Sequence, residues 1–232
     1  MSSTTGKLIV VASPLGNLAD FSLRAIEILK SVDYWIVEDT RVSGKLQPHF
    51  NLQKPMLILN EHTLKHRLQE YIHLLLEGKR AAVLTDAGAP GISDPGSMLI
   101  DLCYQSGIEV DAIPGPSAVV TALMLSGFFA QRFCFLGFLP RKSGPIREEL
   151  APFKESTMTL VFFESSYRIH KLLALIGEVL GPRRYAICRE MTKLYQQVYK
   201  GTLPLCPSEQ EVPLKGEFTL VIEGKRKQAP SL

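Results

Sequence analysis

The chain lacks the usual marks of zinc or disulfide chemistry. Its four cysteines (Cys103, Cys134, Cys188, Cys206) are scattered over 232 residues without a CxxC pair. That excludes a disulfide framework or a zinc knuckle and predicts reduced, mostly buried thiols. No apolar run reaches the ~18 residues that a membrane span needs. The opening "MSSTTGK" is polar, and the apolar stretch 8–12 is too short for a signal-peptide core, so the expected location is the cytosol. There is no G-x-x-x-x-G-K-[ST] and, after the first strand, no G-x-G-x-x-G, which removes the P-loop and the dinucleotide fingerprint. His62, His66, His73 and His170 fall on predicted helices and His49 just before a loop. None makes a metal pair, and no metal is expected.

What is present is an ordinary globular balance, 46% hydrophobic and 21% charged. The net charge of +3 hides an asymmetry. Residues 1–113 carry 10 Lys/Arg against 13 Asp/Glu, and residues 114–232 carry 16 against 10. A basic half beside an acidic half suits a polyanionic partner, although many basic surfaces only keep a protein soluble.

Apolar runs read as strands at "KLIVVA" (7–12), "YWIVE" (34–38), "MLILN" (56–60), "AAVLT" (81–85) and "EVDAI" (109–113). Helices are predicted between them at 20–31, 43–50, 62–77 and 96–106. The first carries Leu23, Ile26 and Leu29 at helical spacing, with Asp20 or Ser22 as N-cap. In the third, Leu64, Leu68, Tyr71, Ile72 and Leu75 share a face, and Gly78 stops it. This alternation predicts an α/β fold with a parallel sheet covered on both faces. After "PGPS" (114–117) the pattern changes. A helix at 118–126 leads to strands at 132–138, 159–164, 184–190, 194–202 and 216–224, the last two antiparallel, with helices at 144–154 and 168–180. The boundary implies two domains, 1–115 and 116–232. The tail "KRKQAPSL" reads as frayed.

Ligands of open parallel sheets bind beyond the carboxyl ends of the strands. Three loops lie there: "SPLGNLAD" (13–20), "TDAGAPGISDPG" (85–96) and "PGPSA" (114–118). Each combines Gly, which lets a ligand approach the backbone, with Pro, which fixes the loop. None carries Lys or Arg, so a neutral or cationic small molecule fits better than a phosphate. Asp86 is placed to accept hydrogen bonds from it or to sit near a positive centre; alternatively, it caps the next turn.

Nine blocks in order resemble the small-subunit ribosomal RNA 2′-O-ribose cytidine methyltransferase family of the tetrapyrrole-methylase superfamily. They are "LIVVASPLGNLADFSLRAIEIL", "VEDTR", "NEHT", "LTDAGAPGISDPG", "IPGPSAVVTALMLSG", "FCFLGFLPRK", "LVFFESSYR", "REMTK" and "KGEFTLVIEG". The resemblance runs from about residue 7 to 224. It implies a two-domain fold, with a mostly parallel N-terminal sheet and a mixed C-terminal sheet. S-adenosylmethionine would lie bent in the cleft between the domains. Carried over by position, Pro14, Leu15, Asp86, Ala89, Gly91, Ile92, Ser117, Ala118 and Phe163 are cofactor contacts. The family also implies a homodimer and, as partner, ribosomal RNA or the small ribosomal subunit.

Methyl transfer from a sulfonium is an in-line displacement, in which placement alone supplies up to ~7–11 kcal/mol. A ribose hydroxyl is a weak nucleophile and gains from a base or hydrogen-bond acceptor. Asp39 in "EDTR", Glu61 in "NEHT" and Glu190 in "REMTK" are the candidates, with Glu190 and Asp39 preferred because each sits at a strand end beside an arginine. A structural ion pair is the alternative for each. Lys193 would stabilise the hydroxyl oxygen as its proton leaves. RNA phosphates would meet Arg24, Arg41, Arg141, Lys142, Arg147, Arg168 and Arg189, and splayed bases would stack on Tyr167 or Phe138, with a place in the core as the alternative for Phe138.

The chain departs from the family pattern at "ASPLGNL" for "ATPIGNL", at Thr63, at "ESSYR" for "ESPHR", and at Gln196 and Gln197, where acidic residues are usual. It also stops soon after "VIEG", short of the extension many relatives carry. These departures gather in the half expected to face substrate. Two other readings follow: a methylase of the same superfamily acting on a tetrapyrrole or other small molecule, and a non-catalytic RNA-binding module.

Overall fold

A computed structural model of the chain describes residues 5–226. They form two compact units that meet in sequence at Ser117 and Ala118. The first holds β1 (Lys7–Val11), α1 (Leu23–Ser31), β2 (Tyr34–Val37), α2 (Thr40–Ser43), α3 (Leu46–His49), β3 (Met56–Ile58), α4 (Lys65–Leu76), β4 (Arg80–Leu84), α5 (Ser97–Gln105) and β5 (Glu109–Ile113). The second holds α6 (Ala118–Ser126), β6 (Phe133–Phe138), α7 (Ser143–Leu150), β7 (Thr159–Glu164), α8 (Ile169–Leu180), β8 (Arg184–Arg189), β9 (Gln197–Thr202) and β10 (Phe218–Ile222).

The five strands of the first sheet are all parallel and lie in the order β3-β2-β4-β1-β5. The chain steps outward from β1 to β2 and β3, then back to β4 and β5. With right-handed crossovers this reversal puts the early helices on one face and the later ones on the other. Ala25 and Leu29 of α1, with Leu46 and Phe50, accordingly pack on Ile9, Val11, Trp35 and Leu84. Leu68, Ile72 and Leu75 of α4 and Leu99 and Cys103 of α5 pack on Leu8, Ile36, Ala81 and Val83. Each fully buried large side chain of this kind contributes ~1.5–3 kcal/mol. Alternate residues of one strand thus serve opposite layers, as the period of two requires.

Ser22 is the N-cap of α1, accepting from Ala25 N–H at 3.1 Å. The apolar face of α1 differs from expectation. Ala25 and Leu29 are buried, whereas Leu23, in the first turn, is 81% exposed. The predicted single helix at 43–50 is two short ones, α2 and α3. β5 is an edge strand with Glu109, Asp111 and Ala112 exposed, so that flank of the sheet is not covered. Lys7 satisfies its acids, lying 2.6 Å from Glu109 and 3.1 Å from Asp111.

The second sheet is mixed, in the order β6-β7-β10-β8-β9. Only β6 and β7 run parallel. α6 covers the face carrying Val161, Ala186, Cys188 and Val221. α7 and α8 cover the face carrying Leu160, Phe162, Tyr185, Ile187, Leu220 and Ile222. The last two strands do not pair as an antiparallel couple. β8 lies between them and is antiparallel to both, because β8 and β9 form the hairpin and β10 enters later beside β7. β9 also begins at Gln197 rather than 194, since backbone hydrogen bonds from Lys193 to Glu190 and from Gln196 to Lys193, both 3.1 Å, wind the preceding residues into a turn.

All four cysteines are free. Cys103 and Cys188 are buried, Cys134 is half-buried and Cys206 is exposed. Of the tail expected to fray, residues 227–232 lie outside the described residues. Lys225 and Arg226 are tied down, Lys225 to Glu155 and Arg226 to Glu223 at 3.3 Å. No helix among the described residues is long and apolar enough to cross a membrane.

Candidate active site

The strand order makes neighbours of the three bare loops, because β4, β1 and β5 are adjacent and parallel. The loop after β4 is zipped to the loop after β1. Ser13 N–H donates to Gly88 O at 2.7 Å, and Gly88 N–H donates to Ser13 O at 2.9 Å. Gly88 has a φ of 79°, a conformation most side chains resist. Pro14 and Leu15 beside this bridge are buried. The loop after β5 comes equally close to the end of β1: a Cβ on Gly115 would lie 3.1 Å from Ala12 Cβ. Within the β4 loop, Gly91 N–H reaches Pro95 O and Ile92 N–H reaches Ala89 O, both at 3.2 Å, so the loop closes on itself. Ile92 is left 48% exposed at its tip.

β4 also sits where the connections change face, between β1 and β2, the position at which open sheets take their ligands. Acids collect there. Asp86 N–H donates to Glu38 Oε2 at 3.4 Å, and the Asp86 carboxylate accepts from Asp39 N–H. Burial, with the neighbouring carboxylates, raises the pKa of Glu38 and of Asp86. Asp94 is pushed to about 6 by burial and by the charges of Glu38 and Asp86. Asp39 differs: its hydrogen bonds with the Arg41 side chain and backbone hold it at about 2. It caps α2 by accepting from Arg41 N–H at 2.7 Å. Such a patch repels phosphate and favours a cation or a ligand rich in hydrogen-bond donors. Among the described residues no group of three or more His, Cys, Asp or Glu could hold a metal ion.

In the second unit, Ala118 opens α6 and Phe163 lies near the end of β7, half-buried against Phe135 and Phe138, with ring centroids 4.8 and 5.6 Å away. Glu190 and Lys193 occupy the turn between β8 and β9. Glu190 Oε1 accepts from Lys193 Nζ at 3.1 Å and from Glu217 N–H at 2.9 Å, and Lys193 also pairs with Glu217 at 2.9 Å. Burial opposes ionisation of Glu190, but these hydrogen bonds outweigh it and leave its pKa below the usual range. The backbone here is unusual, with φ of 49° at Glu190 and 66° at Thr192. Non-glycine residues held so are enriched at functional sites.

The expected RNA-facing cations divide into two groups. Arg41, Arg147, Arg168 and Arg189 have protein partners: Asp39, Glu178, the Leu139 and Pro140 carbonyls, and the Lys215 and Tyr195 carbonyls. Arg24, Arg141 and Lys142 are exposed. Sequence reasoning passed over Glu38 and Asp94, whose significance depends on strand order. It also passed over Glu164, which was visible only as the acid of "ESSYR".

The fold and these loops define a known class. A family model described as Tetrapyrrole (Corrin/Porphyrin) Methylases matches residues 7–206. The methyltransferase CobJ superimposes with a TM-score of 0.73 at 16% identity, over 97% of each chain. A uroporphyrin-III-C-methyltransferase from Thermus thermophilus does so with a TM-score of 0.64 at 19% identity, over 94% of each. At such identities the likeness concerns the fold.

Within that class the chain belongs to the ribosomal RNA small subunit methyltransferase I family. It is 45% identical to the Thermotoga maritima protein of that name, over 95% of this chain and 99% of that one. It is 38% identical to the Escherichia coli O157:H7 protein, over 99% of this chain and 82% of that one.

Proposed function

We propose that the chain transfers a methyl group from S-adenosylmethionine to the 2′-hydroxyl of a cytidine in small-subunit ribosomal RNA. The observation that carries this reading is the junction of loops after β4, β1 and β5, zipped at Ser13 and Gly88, free of Lys and Arg, and backed by Glu38, Asp86 and Asp94. These residues fit the cofactor: bare backbone for its uncharged parts, carboxylates for its positive charge and hydroxyl donors. Pro14, Leu15, Asp86, Ala89, Gly91, Ile92, Ser117, Ala118 and Phe163 are the residues proposed to hold it. When bound, it supplies a methyl group already activated on sulfur.

The chain's task is then to hold the hydroxyl oxygen in line and receive its proton. Glu190 is suited to accept the hydroxyl's hydrogen bond, and Lys193, 3.1 Å away, to stabilise the oxygen as the proton leaves. Asp39 orients Arg41 rather than accepting a proton, because the Arg41 backbone and guanidinium engage both of its carboxylate oxygens. Arg24, Arg141 and Lys142 take phosphates directly. Arg41, Arg147, Arg168 and Arg189 do so only by sharing or exchanging their present partners. The same reading makes the protein a cytoplasmic homodimer acting on RNA or on the small subunit.

The test is transfer of label from S-adenosylmethionine to small-subunit RNA, followed by alkaline hydrolysis. A 2′-O-methyl group leaves the adjacent phosphodiester resistant to alkali, so label should be recovered in an uncleaved dinucleotide. Label in mononucleotides would place the methyl on a base and refute the acceptor, and no transfer to any small-subunit RNA would refute the activity.

A further inference from the structure

Beyond the carboxyl ends of β6 and β7, within the second unit, lies an open cleft of about 610 Å³ lined by Phe138, Arg141, Glu164 and Arg168, among others. Glu164 is the unusual member. Its side chain is 1% exposed. Oε1 is satisfied, accepting from Ser165 N–H at 2.7 Å and Ser165 Oγ at 3.2 Å. Oε2 has no hydrogen bond among the described residues. Arg168 Nη2 stands 3.4 Å from it and balances the charge, but that nitrogen directs its hydrogen bonds to Pro140 O at 2.6 Å and Leu139 O at 3.2 Å. A buried acceptor left open in this way calls for a donor from outside the chain.

Two further features describe that donor. Phe138 presents an aromatic ring that is 61% exposed, and it meets Phe163 edge-on. Arg141, at the cleft's surface, is exposed and has no protein partner among the described residues. A flat ring carrying an N–H donor, joined to a phosphate, satisfies all three features. A nucleotide whose base bears an exocyclic amine is one such group.

We infer that this cleft reads the acceptor base, with Phe138 stacking on it, Arg141 taking its phosphate and Glu164 Oε2 accepting from its amine. Glu164 is then a specificity residue. Cytosine offers N4–H₂ where uracil offers the O4 acceptor, so a carboxylate at that point selects one pyrimidine against the other. The inference deepens the reading above and rests on it for the choice of cytidine.

The experiment is fluorescence anisotropy with labelled oligocytidine and oligouridine hexamers. Wild-type protein should bind oligocytidine at least fivefold more tightly. Glu164→Gln keeps the shape and an oxygen for Ser165 but offers an amide that donates to O4, and should narrow the preference below twofold. Arg141→Ala should weaken both RNAs alike. Equal wild-type affinities, or a preference undiminished in a folded Glu164→Gln protein, would overturn the inference. Should Glu164→Gln fail to fold, Phe138→Ala, altered at an exposed ring, decides. Loss of the stacking ring should weaken oligocytidine at least fivefold, and an unchanged affinity overturns the inference. A protein that binds S-adenosylmethionine without distinguishing the hexamers refutes this inference alone. One that distinguishes them without binding S-adenosylmethionine refutes the methyltransferase reading alone.

Discussion

Asp94→Asn should stabilise the protein at neutral pH while weakening its cofactor site. Asp94 is shifted from 3.8 to about 6 by burial and by the charges of Glu38 and Asp86. Between those values the native state keeps a proton that the unfolded chain has released. Stability therefore falls as pH rises through the window and stays reduced above it. The full shift corresponds to roughly 3 kcal/mol. Asp94 is only half-buried, so solvent screening reduces the expected penalty to about 1 kcal/mol. Asparagine cannot ionise and should recover that amount at pH 7, raising Tm by about 2–4 °C for a chain this size. At pH 4 the two proteins should melt together. Thermal melts from pH 4 to pH 8 provide the assay, and a Tm difference that does not vary with pH would refute the electrostatic reasoning. The same repulsion is what a bound cation relieves, so stabilisation by S-adenosylmethionine should grow with pH in the wild type and much less in Asp94→Asn.

Other outcomes follow from the same geometry. Gly115→Val should force the loops after β1 and β5 apart, since even a Cβ would lie 3.1 Å from Ala12. Cofactor affinity should fall tenfold or more with far-UV circular dichroism unchanged, and unaltered affinity would show that the loops need not touch. Glu190→Gln should lower methyl transfer by about 10²–10⁴-fold at unchanged cofactor affinity, and a smaller loss would confine Glu190 to shaping its turn. Arg141→Ala should reduce the slope of log affinity for RNA against log salt by about 1, and an unchanged slope would remove Arg141 from the phosphate contacts.

Much of the fold was legible because buried parallel strands are continuous apolar runs. "KLIVV" and "YWIV" announce β1 and β2 almost to the residue, whereas "EVDAI" marks the bounds of β5 although it carries two acids and lies exposed at the sheet edge. Errors arose where tertiary contacts outweigh local pattern. Leu23 has the spacing of a core residue relative to Ile26 and Leu29, yet the buried face of α1 is centred on Ala25 and Leu29, and Leu23 lies on the opposite side of the helix. Residues 194–196 resemble a strand but are held in a turn by Gln196 Oε1 on Thr192 N–H at 2.7 Å and by Lys193 O on Gln196 N–H. The three loops could each be recognised from Gly and Pro. Their adjacency depends on β1 lying between β4 and β5, which no local pattern encodes. For the same reason the acids were seen singly. Glu38 and Asp86 are 48 residues apart in sequence and meet only because β2 pairs with β4.

Calorimetric titration of S-adenosylmethionine into the purified protein, with Asp86→Ala alongside, tests the central claim most directly. The account predicts saturable binding by the wild type, weakened at least tenfold by the substitution at a melting temperature that is not lowered. Absence of binding to folded wild-type protein, with and without RNA, or equal binding by both proteins, would contradict it.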